Sequence, residues 1–592
     1  MFRDLGSPIK EGMLQSFLIG PDINGINNTV YFSISQCEDS VLFIKYNIDT
    51  KEIRGYRAKN DPDVKSKMGA WISTLASNNR IYLGTYYEGH ILRYDIKKDE
   101  FVDLGQALND ETYIMGLCDD GMGNVYGSTY PGAKLFRMDL KTETIEDLGK
   151  FDDESLYCRN PHVSKSGKIV TVLGTKQVKV AIYDPKTGEK KVFPYPKKAA
   201  GSLTIFKNDD KDIFVKLNDK DNDTFMVTDE GLVKVNSELA VPFTKWFSND
   251  RKLLKITNKS LEIQLPDGTN QLHNLIYESS GLMLWMVHKG PDNKIYGSSA
   301  LPLRMFRYDP ETDQSVNLGN PSTTDGEIYS MTNYNGKLYI ASYSGAIISE
   351  YDPKKPWNFG FEKSNNPREI GKIGYGQNRP TSMITSINGK IYIASVPTYG
   401  ETSGALSKFD PETDEFTVWR GIVGEQSVFV LDNIGDTGYI CAATTNEVGT
   451  GADIPNDDAK LFIWDIYKDE KVSQTIPIKG AKRIVSVKFK NNIIYGLTGN
   501  GILFAYNHAN NVVEWSKELP IKNAIWPGMD ITDNCVIYGA GDNKLFRYDL
   551  FKDAYSVVAE TKGWNLGFYM DKENNKIYCT PGARLLCYEI KD

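Results

Sequence analysis

The chain has 592 residues, 40% hydrophobic and 25% charged, with 69 Lys and Arg against 77 Asp and Glu and a net charge of −8. That length exceeds one ordinary core and calls for at least two, or for a repeat, and the mild acidity argues against a nucleic-acid binder, which needs a basic face. No apolar run approaches the roughly 18 residues of a membrane span, and the polar opening "MFRDLGSPIKEGMLQ" lacks a basic-then-apolar leader, so a cytoplasmic location without a membrane partner is expected.

The first element in chain order is "MFRDLG". Its Asp-Leu-Gly recurs further on, always closing a longer phrase: "FVDLGQAL" at 101–108, "IEDLGKFD" at 145–152 and the variant "SVNLGNPS" at 315–322. The longer phrase is first complete in "RIYLGTYYEGHILRYDIKKDEFVDLG" from Arg80, then in "NVYGSTYPGAKLFRMDLKTETIEDLG" from Asn124. Between about Gly201 and Ser279 it fades, although "DIFVKLNDKDNDTFMVTDEGLVKV" keeps alternating strands. It returns in "KIYGSSALPLRMFRYDPETDQSVNLG" from Lys294 and continues through Lys337, Lys390, Ile493 and Val536. The last copy, "KIYCTPGARLLCYEIKD" from Lys576, stops one strand short.

Each phrase reads as two alternating strands around a Gly-rich or polar loop, then a turn such as Asp-Pro-Glu-Thr-Asp, then an outer strand. Asp and Pro suit the turn, since Pro presets φ and Asp bonds forward to the backbone. A more apolar strand, such as "WISTLAS" or "IYSMTNY", precedes each phrase. Four strands every roughly 40–50 residues, with no helical periodicity, is the pattern of a β-propeller. About thirteen units exceed the roughly 4–8 blades of one ring. The expectation is therefore all-β: two tandem propellers of about six to seven four-stranded blades each. The first spans 16–279 and the second 280–592, with residues 1–15 giving an N-terminal strand that closes the last, incomplete blade and removes an open edge.

The seven cysteines, Cys37 among them, are scattered and form no Cys-x-x-Cys pair, which fits reduced thiols. His273, His288 and His508 lack metal-ligand spacing, and no P-loop, Gly-x-Ser-x-Gly or His-Glu-x-x-His occurs, so neither a metal nor a cofactor is expected.

Propellers present their second-to-third-strand loops and inter-blade loops on one face, around the channel mouth. In the first ring these loops carry Trp71, Tyr87, His90, Glu111, Tyr113, Tyr130, Lys134, Arg159 and His162. In the second they carry Glu327, Tyr329, Arg379, Glu425, Arg483, Trp526 and Trp564. Eliminating a group β to a carboxylate needs a cation to acidify the α-proton, a base to take it and an acid for the leaving oxygen. Arg159, His162, His90, Tyr87 and Tyr130 are the catalytic candidates for that chemistry. Trp71, Tyr113, Lys134, Arg379 and Glu425 are the substrate-binding candidates, with Trp71 stacking on a sugar face. Against this reading, tyrosines in the "IYG" and "RYD" positions recur in every blade as packing groups, and His90 and Arg159 are also suited to ordinary structural roles. Glu327 and Glu425, with Arg379 and Arg483 beside them, raise glycoside hydrolysis as an alternative. A non-catalytic scaffold holding a protein partner is another. The long insertion "AATTNEVGTGADIPNDDAK" at 442–460 is placed to cap a channel or meet a neighbour, and it lacks the residue order of a calcium loop.

The phrases "IYGSTYPGAKLFRMD" and "IYGSSALPLRMFRYDPETD" resemble the blades of bacterial propeller lyases, namely streptogramin-lyase-like proteins and propeller polysaccharide lyases acting on uronate-containing sugars. The resemblance covers most of the chain and is weakest at 201–279. It implies a lyase acting on an oligosaccharide or small-molecule ligand, with the family's histidine and tyrosine falling on His90, His162, Tyr87 and Tyr130. Blade sequence specifies a fold and not a site.

Overall fold

The computed structural model describes residues 1–591 except 36–39, 60–68, 218–222, 241, 244 and 562–564; Cys37 and Trp564 thus lie outside the described residues. The described chain is all-β, with thirteen four-stranded antiparallel sheets and, as its one helical element, the short turn Ser237–Leu239. Two compact units form: Glu11–Ser280 holds six sheets, and Met1–Lys10 with Gly281–Asp592 holds seven. The junctions read from sequence, 15/16 and 279/280, differ slightly from these. Residues Met13–Gly20 already form the innermost strand of the first sheet of the six-sheet unit, paired with Thr29–Ser35.

Each unit closes on itself as a ring of blades. In the six-bladed ring, Val30, Phe32 and Ile44 of the first sheet share a core with Leu261 and Ile263 of the sixth. In the seven-bladed ring, Leu284 and Val287 of the first sheet pack with Tyr578 and Leu585 of the last. That last sheet takes three strands from the C-terminus and its fourth from the N-terminus, with Arg3 opposite Cys587 and Asp4 opposite Leu586. The Leu5 amide donates to the Leu585 carbonyl at 2.8 Å, Arg584 grips Asp4 at 2.6 Å, and Phe2 meets Tyr588 edge-on at 6.0 Å. The strand that closes the last blade is therefore a paired edge, as expected from sequence.

The repeated phrase has a clear physical basis. Its glycine sits directly opposite the phenylalanine of the next strand: Gly127 with Phe136, Gly297 with Phe306, Gly496 with Phe504 and Gly539 with Phe546. A Cβ at Gly127 would stand 2.0 Å from the Phe136 ring, so the ring fills the space a side chain would need. The Tyr of "RYD", or of "AYN" in one copy, reaches over the turn to the residue five positions on: Tyr94 to Asp99, Tyr308 to Asp313, Tyr548 to Asp553 and Tyr506 to Asn511. Those four turn residues have positive φ, which Asp and Asn tolerate well. The phrase's Asp accepts the turn's own amides, as Asp95 does from Lys97 and Lys98, both at 3.1 Å. Where these residues are lost the blades shrink, and the innermost strand of the sixth sheet is only Trp246–Phe247.

Candidate functional site

Strands near a ring's axis start at the inter-blade loops, and many carry a β-bulge within their first residues. A bulge adds one residue on one strand and re-aims its side chain. In the seven-bladed ring three of the bulges fall at Trp285, Tyr329 and Phe429. With Trp526 these side chains form a collar: Trp285–Tyr329 5.5 Å, Tyr329–Trp526 5.5 Å and Phe429–Trp526 5.3 Å between ring centroids. The indole N–H of Trp526 is buried and has no hydrogen-bond partner. Further along the innermost strands of this ring, Met286, His288, Thr332, Thr385, Lys488 and Tyr569 help to line a cavity of about 460 Å³. His288 stacks edge-on against Tyr569 at 5.1 Å, and burial lowers its pKa to about 4.

Beside the collar lies a titratable group. Glu327, only 9% exposed, begins the second blade of this ring, and one of its carboxyl oxygens, Oε2, is buried with no hydrogen-bond partner. Burial raises its pKa to about 7, against the lowering pull of its own backbone N–H and of the nearby Arg379 guanidinium. Arg379 enters from the third blade. Its guanidinium donates to Thr450 Oγ1 at 3.2 Å, forms a longer ion pair with Glu447 at 3.9 Å and lies 5.6 Å from the centre of the Tyr343 ring. Tyr343 is hydrogen-bonded to Tyr399, and burial raises the Tyr329 and Tyr343 phenols above their ordinary value. A carboxyl group, a cation and three phenols thus share one mouth.

The insertion at 442–460 completes this wall. Gly400 N–H donates to the Thr450 carbonyl at 3.0 Å and Gly449 N–H to the Glu401 carbonyl at 2.9 Å. A Cβ on Gly449 would stand 1.6 Å from the Thr398 carbonyl oxygen, so only glycine permits this approach. Asn446 pins the loop from within, donating to the Pro455 and Asp457 carbonyls and accepting from buried Gln426 at 2.7 Å. Glu425 is exposed on the preceding loop, where its carbonyl accepts from Ser403 N–H. Arg483 stacks over Phe429 at 5.9 Å.

In the six-bladed ring the structure brings some of the sequence candidates together and parts others. Trp71, Tyr86, Tyr87, Tyr113, Tyr130 and Tyr157 form an unbroken arc of ring contacts across three neighbouring sheets, with centroid separations from 4.5 to 5.9 Å. Arg159 lies 4.4 Å over the Tyr157 ring at the end of this arc. His162 is not with them. Its strand, Tyr157–Val163, carries it towards the far end, in hydrogen-bond contact with the Ile205 backbone, where burial and Lys207 lower its pKa to about 4. His90 begins the third strand of its blade and is held by Asp103 at 3.1 Å, with Glu88 at 3.6 Å. Lys134 likewise leads a third strand and pairs with Asp147 at 3.0 Å. Of the five residues Arg159, His162, His90, Tyr87 and Tyr130, His162 thus lies apart from the arc, and His90 is engaged by Asp103.

Sequence reasoning named Glu327, Tyr329, Arg379 and Trp526 as loop residues but missed Tyr343, Tyr399, Glu447 and Thr450. The one sequence signal for the last two is the insertion that carries them. Among the described residues, no group of three or more His, Cys, Asp or Glu side chains is placed to hold a metal ion.

No protein-family model matches this sequence, and no curated protein does. Among solved structures, the chain is similar to the extracellular domain of a one component system from B. thetaiotaomicron, with a TM-score of 0.38 and 12% identity over 97% of this chain and 70% of that one. A likeness of this strength assigns the chain to no family.

Proposed function

We propose that the mouth of the seven-bladed ring binds a carboxylated saccharide or similar small molecule and performs a lyase-type β-elimination. The observation that carries this reading is Glu327: buried, without a partner on Oε2, held near pKa 7, and facing a cation. A carboxylate poised near neutrality is a competent base for a weakly acidic carbon. Arg379, engaged by one hydroxyl and one long ion pair, neutralises the substrate carboxylate, which lowers the cost of the developing enolate. Glu327 takes the α-proton, the electron pair forms the new α–β double bond, the β-carbon–oxygen bond breaks, and the Tyr343–Tyr399 pair protonates the departing oxygen. Trp285 and Trp526 offer flat apolar faces for the sugar ring. Glycoside hydrolysis is less well served, because Glu425 is exposed on its loop whereas Glu327 is buried.

The test is incubation with a panel of uronate-containing oligosaccharides, following the ultraviolet absorbance of the unsaturated acid. Activity that Glu327→Gln and Arg379→Gln each remove, and Glu425→Gln retains, supports the reading. No reaction across the panel, or full activity in Glu327→Gln, overturns it, and a specific protein recovered by pull-down from an inactive chain then favours the scaffold alternative.

A further inference from the structure

His162, carried away from the mouth, stands with two other reactive groups at the opposite end of the six-bladed ring. Cys118 is next to last in its strand, Tyr113–Asp119; His162 is next to last in Tyr157–Val163; Lys207 ends Thr204–Lys207. These are the innermost strands of three successive sheets, and each runs from an inter-blade loop to its first hairpin. The three side chains are gathered at the hairpin end, and each is only partly buried. Lys207 lies within electrostatic reach of both Cys118 and His162. Burial lowers the pKa of Lys207, and it does the same to Lys190, Lys245 and Lys471, but those three have partners. Lys190 donates to the Leu148 carbonyl at 2.5 Å, Lys471 donates to the Ile422 carbonyl at 2.6 Å, and Lys245 lies 3.6 Å over the Phe17 ring. The amine of Lys207 has no hydrogen bond, ion pair or cation–π contact among the described residues. Lys211 adds to the lowering, and only Cys118, whose thiol burial keeps protonated, opposes it.

We infer that Lys207 is a covalent binding site for a small aldehyde, held as an imine, with His162 as the proton carrier. A desolvated amine without a counter-ion sheds its proton readily, and the free amine is the form that attacks a carbonyl. Because this amine is only partly exposed, the carbonyl compound must be small. His162 is hydrogen-bonded to the backbone of Ile205, two residues before Lys207, which fixes its ring beside the amine. Burial and Lys207 keep the imidazole neutral and able to accept a proton. In the reaction the amine adds to the carbonyl carbon, a carbon–nitrogen bond forms, and the carbonyl π pair moves to oxygen. One amine proton passes through His162 to that oxygen. The second follows the same route as the carbon–oxygen bond breaks, water leaves, and the nitrogen lone pair forms the C=N bond. Two N–H protons and the carbonyl oxygen end as water, so no oxidant or reductant is needed. Cys118 does not compete, since the thiolate and not the thiol is the nucleophile. The inference does not rest on the reaction proposed for Glu327.

The experiment incubates the full chain near pH 7 with acetaldehyde and cyanoborohydride, which reduces an imine to a stable N-ethyl group. Peptide mass mapping over time then ranks the lysines by rate. Lys207 is expected to lead, at least about threefold faster than the median lysine, because a lowered pKa leaves more free amine at neutral pH. That lead should shrink near pH 10, where the other lysines also lose their protons. Lys207→Arg should remove the fast event and leave the remaining rates unchanged. His162→Gln, which keeps a polar group for the Ile205 backbone, should slow ethylation several-fold at Lys207 and at no other lysine. The wild-type ranking stands whether or not either variant folds. Three results would each overturn the inference: a Lys207 no faster than the median lysine, a lead undiminished near pH 10, or an equal Lys207 rate in His162→Gln.

Discussion

Tyr113 in the six-bladed ring and Glu327 in the seven-bladed ring occupy the same rung. Each precedes an isoleucine paired to the end of the second strand, Ile114 to Thr129 and Ile328 to Ser342. The loops beyond those strands also correspond, "YPGAK" at 130–134 and "YSGAI" at 343–347. In the six-bladed ring the loop glycine, Gly132, donates its N–H to the carboxylate of Glu111 at 2.9 Å, and Glu111 is 1% exposed and satisfied. In the seven-bladed ring the corresponding Gly345 N–H goes to Asn378 Oδ1 at 2.6 Å, and Glu327 keeps a bare oxygen. One architecture thus gives a carboxylate tied by a loop amide in one ring and, two residues further on in register, a desolvated carboxyl with one bare oxygen in the other. Burial raises a carboxyl pKa, so it is desolvation with one bare oxygen that sets Glu327 apart.

The largest expected effect tests that contrast directly. Glu327→Gln should lower turnover of a uronate substrate about 100- to 10,000-fold, the range for loss of a general base, while Glu111→Gln should act on stability and leave kcat within a few-fold. Equal losses of kcat in both variants would erase the distinction. In wild type, activity should rise with pH through about 7, since the base works only when ionised.

Next in size is the closing strand. Deleting Met1–Gly6 removes the Arg3–Asp4 pairing and the packing of Phe2 and Leu5, and should destabilise the seven-bladed unit by several kcal/mol, on the order of two buried apolar side chains. The six-bladed unit should melt as before, so calorimetry should show one transition move and one stay. An unshifted scan would contradict the role assigned to this strand.

A third expectation concerns stability against pH. Glu327 has its pKa raised from 4.5 to about 7 in the folded state. Below pH 4.5 the carboxyl is protonated in both states. As pH climbs, the unfolded chain ionises first, so stability is lost between about 4.5 and 7 and stays lost above. Glu327→Gln should therefore unfold at higher denaturant than wild type at pH 8, by about 3 kcal/mol, and differ little at pH 4. A variant equally stable or less stable at pH 8 would show that the carboxyl is not desolvated.

The smallest effect probes the tied glutamate. A Cβ on Gly132 would stand 2.0 Å from Glu111 Oε1, so Gly132→Ala must displace that carboxylate, at a cost of about 1–3 kcal/mol for a disturbed buried hydrogen bond. Urea denaturation should show it in the six-bladed unit alone.

The blades were legible because each phrase carries its own reasons. Glycine faces phenylalanine, tyrosine reaches the turn's Asp or Asn, and the phrase's first Asp caps the turn, all within about twenty residues of one another. The region 201–279 was faint for the same cause: without those pairs, strands remain but nothing in the local sequence times them. The candidate site was legible only in part. Glu327 and Arg379 stood out as loop residues, yet what distinguishes Glu327 is its burial with one bare oxygen, which no local pattern announces. Arg379 meets Thr450 across 71 residues, through an insertion whose landing place no local pattern announces. His162 and His90 looked reactive by composition alone; strand direction carries one away from the mouth, and Asp103 holds the other.

Asp4 and Arg584 stand 580 residues apart in the chain and touch in the fold. On a ribosome adding about 5–20 residues per second, the strand at Arg3–Asp4 emerges some 580 residues before its partner and waits for it on the order of a minute. The six-bladed unit, contiguous from Glu11 to Ser280, is complete and free to fold well before that. The seven-bladed ring holds an open edge throughout its synthesis, so the nascent chain spends its most aggregation-prone interval with one domain finished and the other unsealed.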